Sequence, residues 1–131
     1  VRNKLYLGLA LLWTAIVAVL CLIRMDELPM PKLEKDFDKF GHMAFHFGVT
    51  ALWFFYFNYK SVNTRKAFFK AFSFSFFYGI SLELAQALFT NTRDADVLDV
   101  AANSAGALLA VIIIIGYNKL FSKEKFNLDM V

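Results

Sequence analysis

Cysteine and charge are scarce in this chain. Cys21 is its one cysteine, so no intrachain disulfide can form, and the expected role of that thiol is packing. Only 19% of the 131 residues are charged while 59% are hydrophobic, and the mean hydropathy is +0.52. That is far more apolar side chain than one small core could hide from water. No HExxH, no CxxC and no Gly-rich phosphate loop occurs, which removes the common short signatures of zinc, dithiol and phosphate-loop chemistry. Internal repeats are absent too, and the one compositional bias is phenylalanine, 16 of them, concentrated at Phe54, Phe55, Phe57 and from Phe68 to Phe77. Aromatic bias of this kind reads as lipid-facing and interhelical packing.

What the chain has in abundance is uninterrupted apolar length. A membrane span needs about 20 mostly apolar residues at about 1.5 Å rise each. Leu5 to Ile23 and Val100 to Asn118 are uncharged, Phe40 to Tyr59 is interrupted only by His42 and His46, and Ala71 to Phe89 carries Glu83 as its single charge. These runs predict an all-α integral membrane four-helix bundle, one domain over residues 1–131, with helices at about 5–23, 40–59, 68–89 and 97–118. The alternation Ser73, Phe74, Ser75, Phe76 could mimic a strand, but it lies inside a run of helical length. A closed barrel would need about eight strands, which runs this long do not supply. Arg2 and Lys4 resemble a basic leader, yet the apolar run behind them exceeds the usual signal core of about 7 to 15 residues. It does not end in small residues, so a retained first helix is expected.

The basic residues orient the bundle. With both termini cytoplasmic, the inner side would hold Arg2, Lys4, Lys60, Arg65, Lys66, Lys70, Lys119, Lys123 and Lys125, against Arg24, Lys32, Lys35, Lys39 and Arg93 outside. Excess positive charge marks the cytoplasmic side, so both ends are expected inside. The outer side would also gather Asp26, Glu27, Glu34, Asp36, Asp38, Asp94 and Asp96. Membrane topology thus accounts for the net charge of +3, and no nucleic-acid partner is expected.

On this map the polar residues of the spans fall at one end. Asp38, Lys39 and His42 lie at the outer mouth of the second helix, Glu83 and Gln86 in the last turns of the third, Arg93 in the outer turn, and Asp96, Asp99 and Asn103 at the start of the fourth. A charged side chain at the bilayer centre costs about 2.5 to 3.5 kcal/mol, so such residues usually have a function. Spacing places Asp38 with His42, His42 with His46, and Glu83 with Gln86 on shared helix faces, and it aligns Asp96, Asp99 and Asn103 in one stripe. Beside that stripe Ala102, Gly106 and Ala110 form a small-residue ladder that lets the fourth helix approach a neighbour closely, with the third expected as that neighbour. The acids at its start also complement the helix dipole. Structural readings compete with functional ones at each point. Asp38, Lys39 and His42 could be a capped interfacial helix start with a snorkelling lysine. Glu83 and Arg93 could be an ion pair fixing a hairpin, and Asn103 an interhelical hydrogen bond. A metal shared by His42 and His46 would need Glu83 or Asp99 as a third ligand, with nothing to fix the geometry; no metal and no cofactor are expected.

The strings Asp38-Lys39-Phe40-Gly41-His42, Glu83-Leu84-Ala85-Gln86, Arg93-Asp94-Ala95-Asp96-Val97-Leu98-Asp99 and Asn103-Ser104-Ala105-Gly106 resemble the VanZ-like family, small polytopic bacterial membrane proteins named after a teicoplanin-resistance factor. The resemblance covers the second to fourth helices, with the elements in the family's order; His46 stands where the family pattern has an aromatic. It implies a multi-pass protein of the bacterial inner membrane with a cell-envelope role, and no particular reaction. Joined to the residues, it leads to the expectation of a non-catalytic protein binding a lipid headgroup or lipid-linked amphiphile on the extracytoplasmic side, through Asp38, Lys39, His42, Glu83, Gln86, Arg93, Asp96, Asp99 and Asn103. The alternative is an intramembrane enzyme acting on a phospholipid or polyprenyl-linked envelope precursor with His42 or Glu83 as acid and base. A third reading, proton-coupled transport carried by Glu83, would call for a homodimer.

Overall fold

The structure is a computed structural model that describes residues 2–22, 35–60, 63–89 and 96–128, with side chains for all of these except 35–37 and 121–128. Four helices account for nearly all of them: α1 (Arg2–Leu22), α2 (Lys35–Lys60), α3 (Thr64–Phe89) and α4 (Val97–Leu128). Local chemistry sets their starts. Asn63 caps α3, its side-chain oxygen accepting the Lys66 amide at 3.1 Å, and Asp96 caps α4 by accepting the Leu98 amide at 2.8 Å. Ser73 to Phe76 is helical within α3, because its flanks bury at a helical period: Ala67, Phe68, Ala71, Ser75, Gly79, Leu82, Glu83 and Gln86 face inward.

The helices run up, down, up, down. Tyr6 stacks near Phe55 while Trp13 meets Phe45, so α1 and α2 are antiparallel; Phe54 stacks on Phe68 and His46 meets Ser75, so α2 and α3 are antiparallel too. α2 is the hub. It packs on all three other helices, most extensively on α4. α1, α3 and the Val97–Leu120 part of α4 are each long and apolar enough to cross a membrane. α2 does not meet that test on composition. A helix wrapped by three partners shows little surface to lipid, so it can carry His42, His46, Thr50 and Asn58 where an outer helix carries leucine. α1 is the opposite case: only Ala10, Val17 and Cys21 are buried, and Leu5, Leu9, Leu11, Leu12, Ile16 and Val19 face outward. An all-round apolar exterior with polar groups inside is the arrangement that hydrocarbon solvent selects.

The small-residue ladder of α4 meets α2 rather than α3. A side chain at Gly106 would run into the Met43 carbonyl, with the Met43 Cα 2.9 Å from the added carbon, and Ala107 and Ala110 are fully buried. The loop between α3 and α4 is short, but it is the parallel pair α2 and α4 whose backbones touch. A second close approach seats Gly48 of α2 under the Trp13 indole of α1.

Hydrogen bonds lock α1 onto the rest. The Trp13 indole donates to the Phe45 carbonyl at 3.1 Å, Trp53 donates to the Thr14 hydroxyl at 3.0 Å, and Tyr78 donates to the Thr14 carbonyl at 2.6 Å. Thr14 in turn donates to Ala10 within its own helix. Around this knot lies the aromatic core of Trp53, Phe54, Phe68 and Phe74, with Trp53 and Phe74 centroids 4.4 Å apart. Gln86 closes the far end by donating to the Cys21 carbonyl at 2.8 Å, which satisfies one of the carbonyls left open at the end of α1.

Candidate functional site

Antiparallel packing brings the start of α2, the end of α3 and the start of α4 to one end of the bundle. Glu83 lies six residues before the end of α3, about 9 Å in at helical rise. His42 lies within α2 and Asp99 sits in the first turn of α4, so the three reach a common level.

His42 is the centre. It is 3% exposed, and its Nδ1 lies 3.2 Å from Asn103 Oδ1 and 3.7 Å from Glu83 Oε1. Its Nε2 points the other way, 3.9 Å from Asp38 Oδ1 and 3.8 Å from Asp99 Oδ2. A proton on Nδ1 donated to Asn103 leaves the Nε2 lone pair facing the two aspartates. Glu83, Asn103 and Asp99 are buried with it, whereas the Asp38 side chain is 41% exposed and marks the mouth. Lys39 is half-buried at the same mouth, and among the described residues it has no ion-pair partner.

Six of the nine residues singled out in the sequence thus lie in this cluster or at its mouth: Asp38, Lys39, His42, Glu83, Asp99 and Asn103. Two others hold structural posts. Asp96 is the cap of α4, and Gln86 faces α1 through Cys21. Arg93 lies outside the described residues, as do Arg24, Lys32 and the acids Asp26, Glu27, Glu34 and Asp94. Among the described residues, the Glu83 carboxylate has His42 as a neighbour.

His46 does not join His42 in a pair. Its Nδ1 lies 2.9 Å from the Ser75 hydroxyl, and its ring meets Tyr78 at 6.0 Å, one turn deeper in the bundle. Gly79 makes room for this layer, since a side chain there would stand 3.0 Å from both His46 Cε1 and Asn103 Nδ2. Ser75, Thr14 and Tyr78 are polar participants that the sequence reading missed. Serine, threonine and tyrosine in an apolar run look like packing residues until their neighbours are known; the one available signal was that Ser75 and Gly79 stand four apart on the face of Glu83.

No curated protein matches the chain, and no solved structure does. The VanZ/LLP1 family description matches residues 10–121. That stretch runs from within α1 into the last part of α4 and takes in every member of the polar cluster. With its apolar spans and a match over most of its length, the chain belongs to the VanZ/LLP1 family of membrane proteins.

Proposed function

We propose that this protein binds the polar headgroup of a lipid or lipid-linked amphiphile at the extracytoplasmic face of the bacterial inner membrane, without chemical turnover. One observation carries the reading: His42, Glu83, Asp99 and Asn103, from three helices, converge at one end of an otherwise apolar bundle, with Asp38 and Lys39 at the mouth. Carboxylates and an imidazole can receive an ammonium or hydroxyl-rich headgroup, and the Lys39 amine can receive phosphate. Asn103 Nδ2 is buried and has no hydrogen-bond partner among the described residues, which leaves donor capacity on the inner wall. Exposed Leu84, Leu88, Phe89, Val97 and Leu98 surround this end and suit acyl chains.

The outward orientation of this end, with cytoplasmic termini, is supported by the basic charge of the opposite end at Lys60, Arg65, Lys66 and Lys119. Against catalysis stands the arrangement of hydroxyls. The serine that touches a histidine, Ser75, is fully buried with His46 and out of reach of a substrate. Capture of amphiphiles at the outer leaflet would alter how lipid-tailed glycopeptides reach their targets. Native mass spectrometry of protein extracted in mild detergent is expected to show a retained phospholipid or polyprenyl-linked lipid, reduced in Lys39→Ala and Arg93→Ala. A bare protein mass, together with unchanged glycopeptide susceptibility in both variants, would overturn the reading.

A further inference from the structure

We infer that Asp38, His42 and Asp99 form a binding site for one divalent transition-metal ion at the mouth of the bundle. It goes beyond amphiphile binding and stands without it. One donor atom from each of the three residues lies within 4.8 Å of the other two. The two gaps to His42 Nε2, 3.8 and 3.9 Å, are too long for hydrogen bonds, which close at about 2.7 to 3.2 Å. They suit donors that share an ion. Ligand bonds of about 2.0 to 2.2 Å set two donors of a tetrahedral cation about 3.4 Å apart, and wider ligand angles set them further apart, up to about 4.3 Å when they stand opposite.

The second observation is the imidazole itself. His42 is nearly fully buried, yet its Nε2 has no hydrogen bond and is aimed between two carboxylates. Behind it, Nδ1 faces the Asn103 carbonyl oxygen and the Glu83 carboxylate. A metal-ligating histidine is held in this way, its far nitrogen donating to a carbonyl or carboxylate so that the near lone pair is fixed on the ion. In the tautomer that donates from Nδ1 to Asn103, the buried Nε2 lone pair faces two anionic oxygens, a repulsive arrangement until a cation stands between them.

Charge agrees with this. Two carboxylates and a neutral imidazole supply two negative charges to a dication. The Asp38 side chain, 41% exposed, places its carboxylate where an ion can reach it from outside the bundle. One nitrogen and two oxygens suit Zn²⁺ or Mn²⁺, with Zn²⁺ the tighter, and leave coordination positions open toward the mouth. The sequence directed attention to His46 as the second ligand, but the bundle supplies Asp38 from one turn earlier and Asp99 from α4 instead.

The test uses the full chain purified in detergent, stripped with EDTA and dialysed, then titrated with Zn²⁺ and separately with Mn²⁺ by calorimetry. One ion per chain is expected for Zn²⁺, with at least about a tenfold loss of affinity in Asp38→Asn and in Asp99→Asn, and a loss of about tenfold in Asn103→Ala. Asp38 sits at the surface, so Asp38→Asn should keep the wild-type melting temperature in EDTA, which separates loss of a ligand from loss of the fold. Electron spin-echo spectra of the Mn²⁺ form should show an imidazole nitrogen coupling. No stoichiometric Zn²⁺ binding by wild type, or an affinity unchanged in Asp38→Asn, would overturn the site.

Discussion

Single side chains decide how this bundle holds together, because water is not there to satisfy what they leave open. Thr14 shows the logic. Its hydroxyl donates to Ala10 and accepts from Trp53, and its carbonyl accepts from Tyr78, so one residue of α1 is tied to α2 and α3 together. Interhelical hydrogen bonds in membranes contribute about 0.6 kcal/mol on average and up to about 1.7 kcal/mol, because the separated helices also find partners. Tyr78→Phe removes the donor and keeps the ring that stacks on Phe74. Its expected cost is therefore about 1 kcal/mol, read as an earlier unfolding midpoint in a detergent–SDS titration. No change at all would mean that packing alone fixes α1. None of these roles was legible in the sequence, since threonine, tyrosine and tryptophan fit a span without a partner. Glu83 and Asp99 were legible, because a carboxylate does not enter an apolar run unpartnered.

At the scale of the helices, the approach of α4 to α2 sets the site. Gly106 touches the Met43 backbone, and Asn103 and Asp99 lie one and two turns before it on the way to His42. Backbone cannot rotate away as a side chain can, so a Cβ at Gly106 must push the helices apart. Overpacking of this kind costs about 1 to 3 kcal/mol. Gly106→Ala is expected to lower stability by that amount and to separate Asp99 from His42. Gly116, on the same helix, has nothing within 4 Å of its added carbon. Gly116→Ala should therefore be neutral or stabilise by up to about 1 kcal/mol through helix propensity. Thermal denaturation of the two variants side by side checks the pair, and equal effects would refute the close approach. The ladder of small residues was visible in the sequence, but its partner was not. Chain order pointed to α3, and only the parallel packing of α2 and α4 shows which helix the ladder serves. The start of α2 was obscured in a related way: Lys35 to Lys39 reads as a polar connection, yet these residues are helical, because a helix need not end where its apolar run ends.

For the whole molecule, composition carried most of the information. An exterior of Leu, Ile, Val and Phe on α1, α3 and α4 needs hydrocarbon around it, and that much follows from counting residues. α2 was read as a span from its length, but it is less apolar than the three helices long and apolar enough to cross a membrane, and it is the one that packs on all of them. Polarity along the bundle axis is the remaining global property, and it decides whether the mouth at Asp38 faces the periplasmic or the cytoplasmic side. The sequence assigns nine basic residues to the side of the termini and five to the other, from which cytoplasmic termini are expected. Two exposed positions on described helices report on it: Leu98, beside the mouth, and Lys60, at the far end of α2. In a Cys21→Ala background, Leu98→Cys should react with a membrane-impermeant maleimide added to spheroplasts, while Lys60→Cys should react only after the membrane is opened. The reverse pattern would turn the His42 cluster toward the cytoplasm. Headgroup capture at the outer leaflet would then fall, but the metal site, which depends only on the distances among Asp38, His42 and Asp99, would stand.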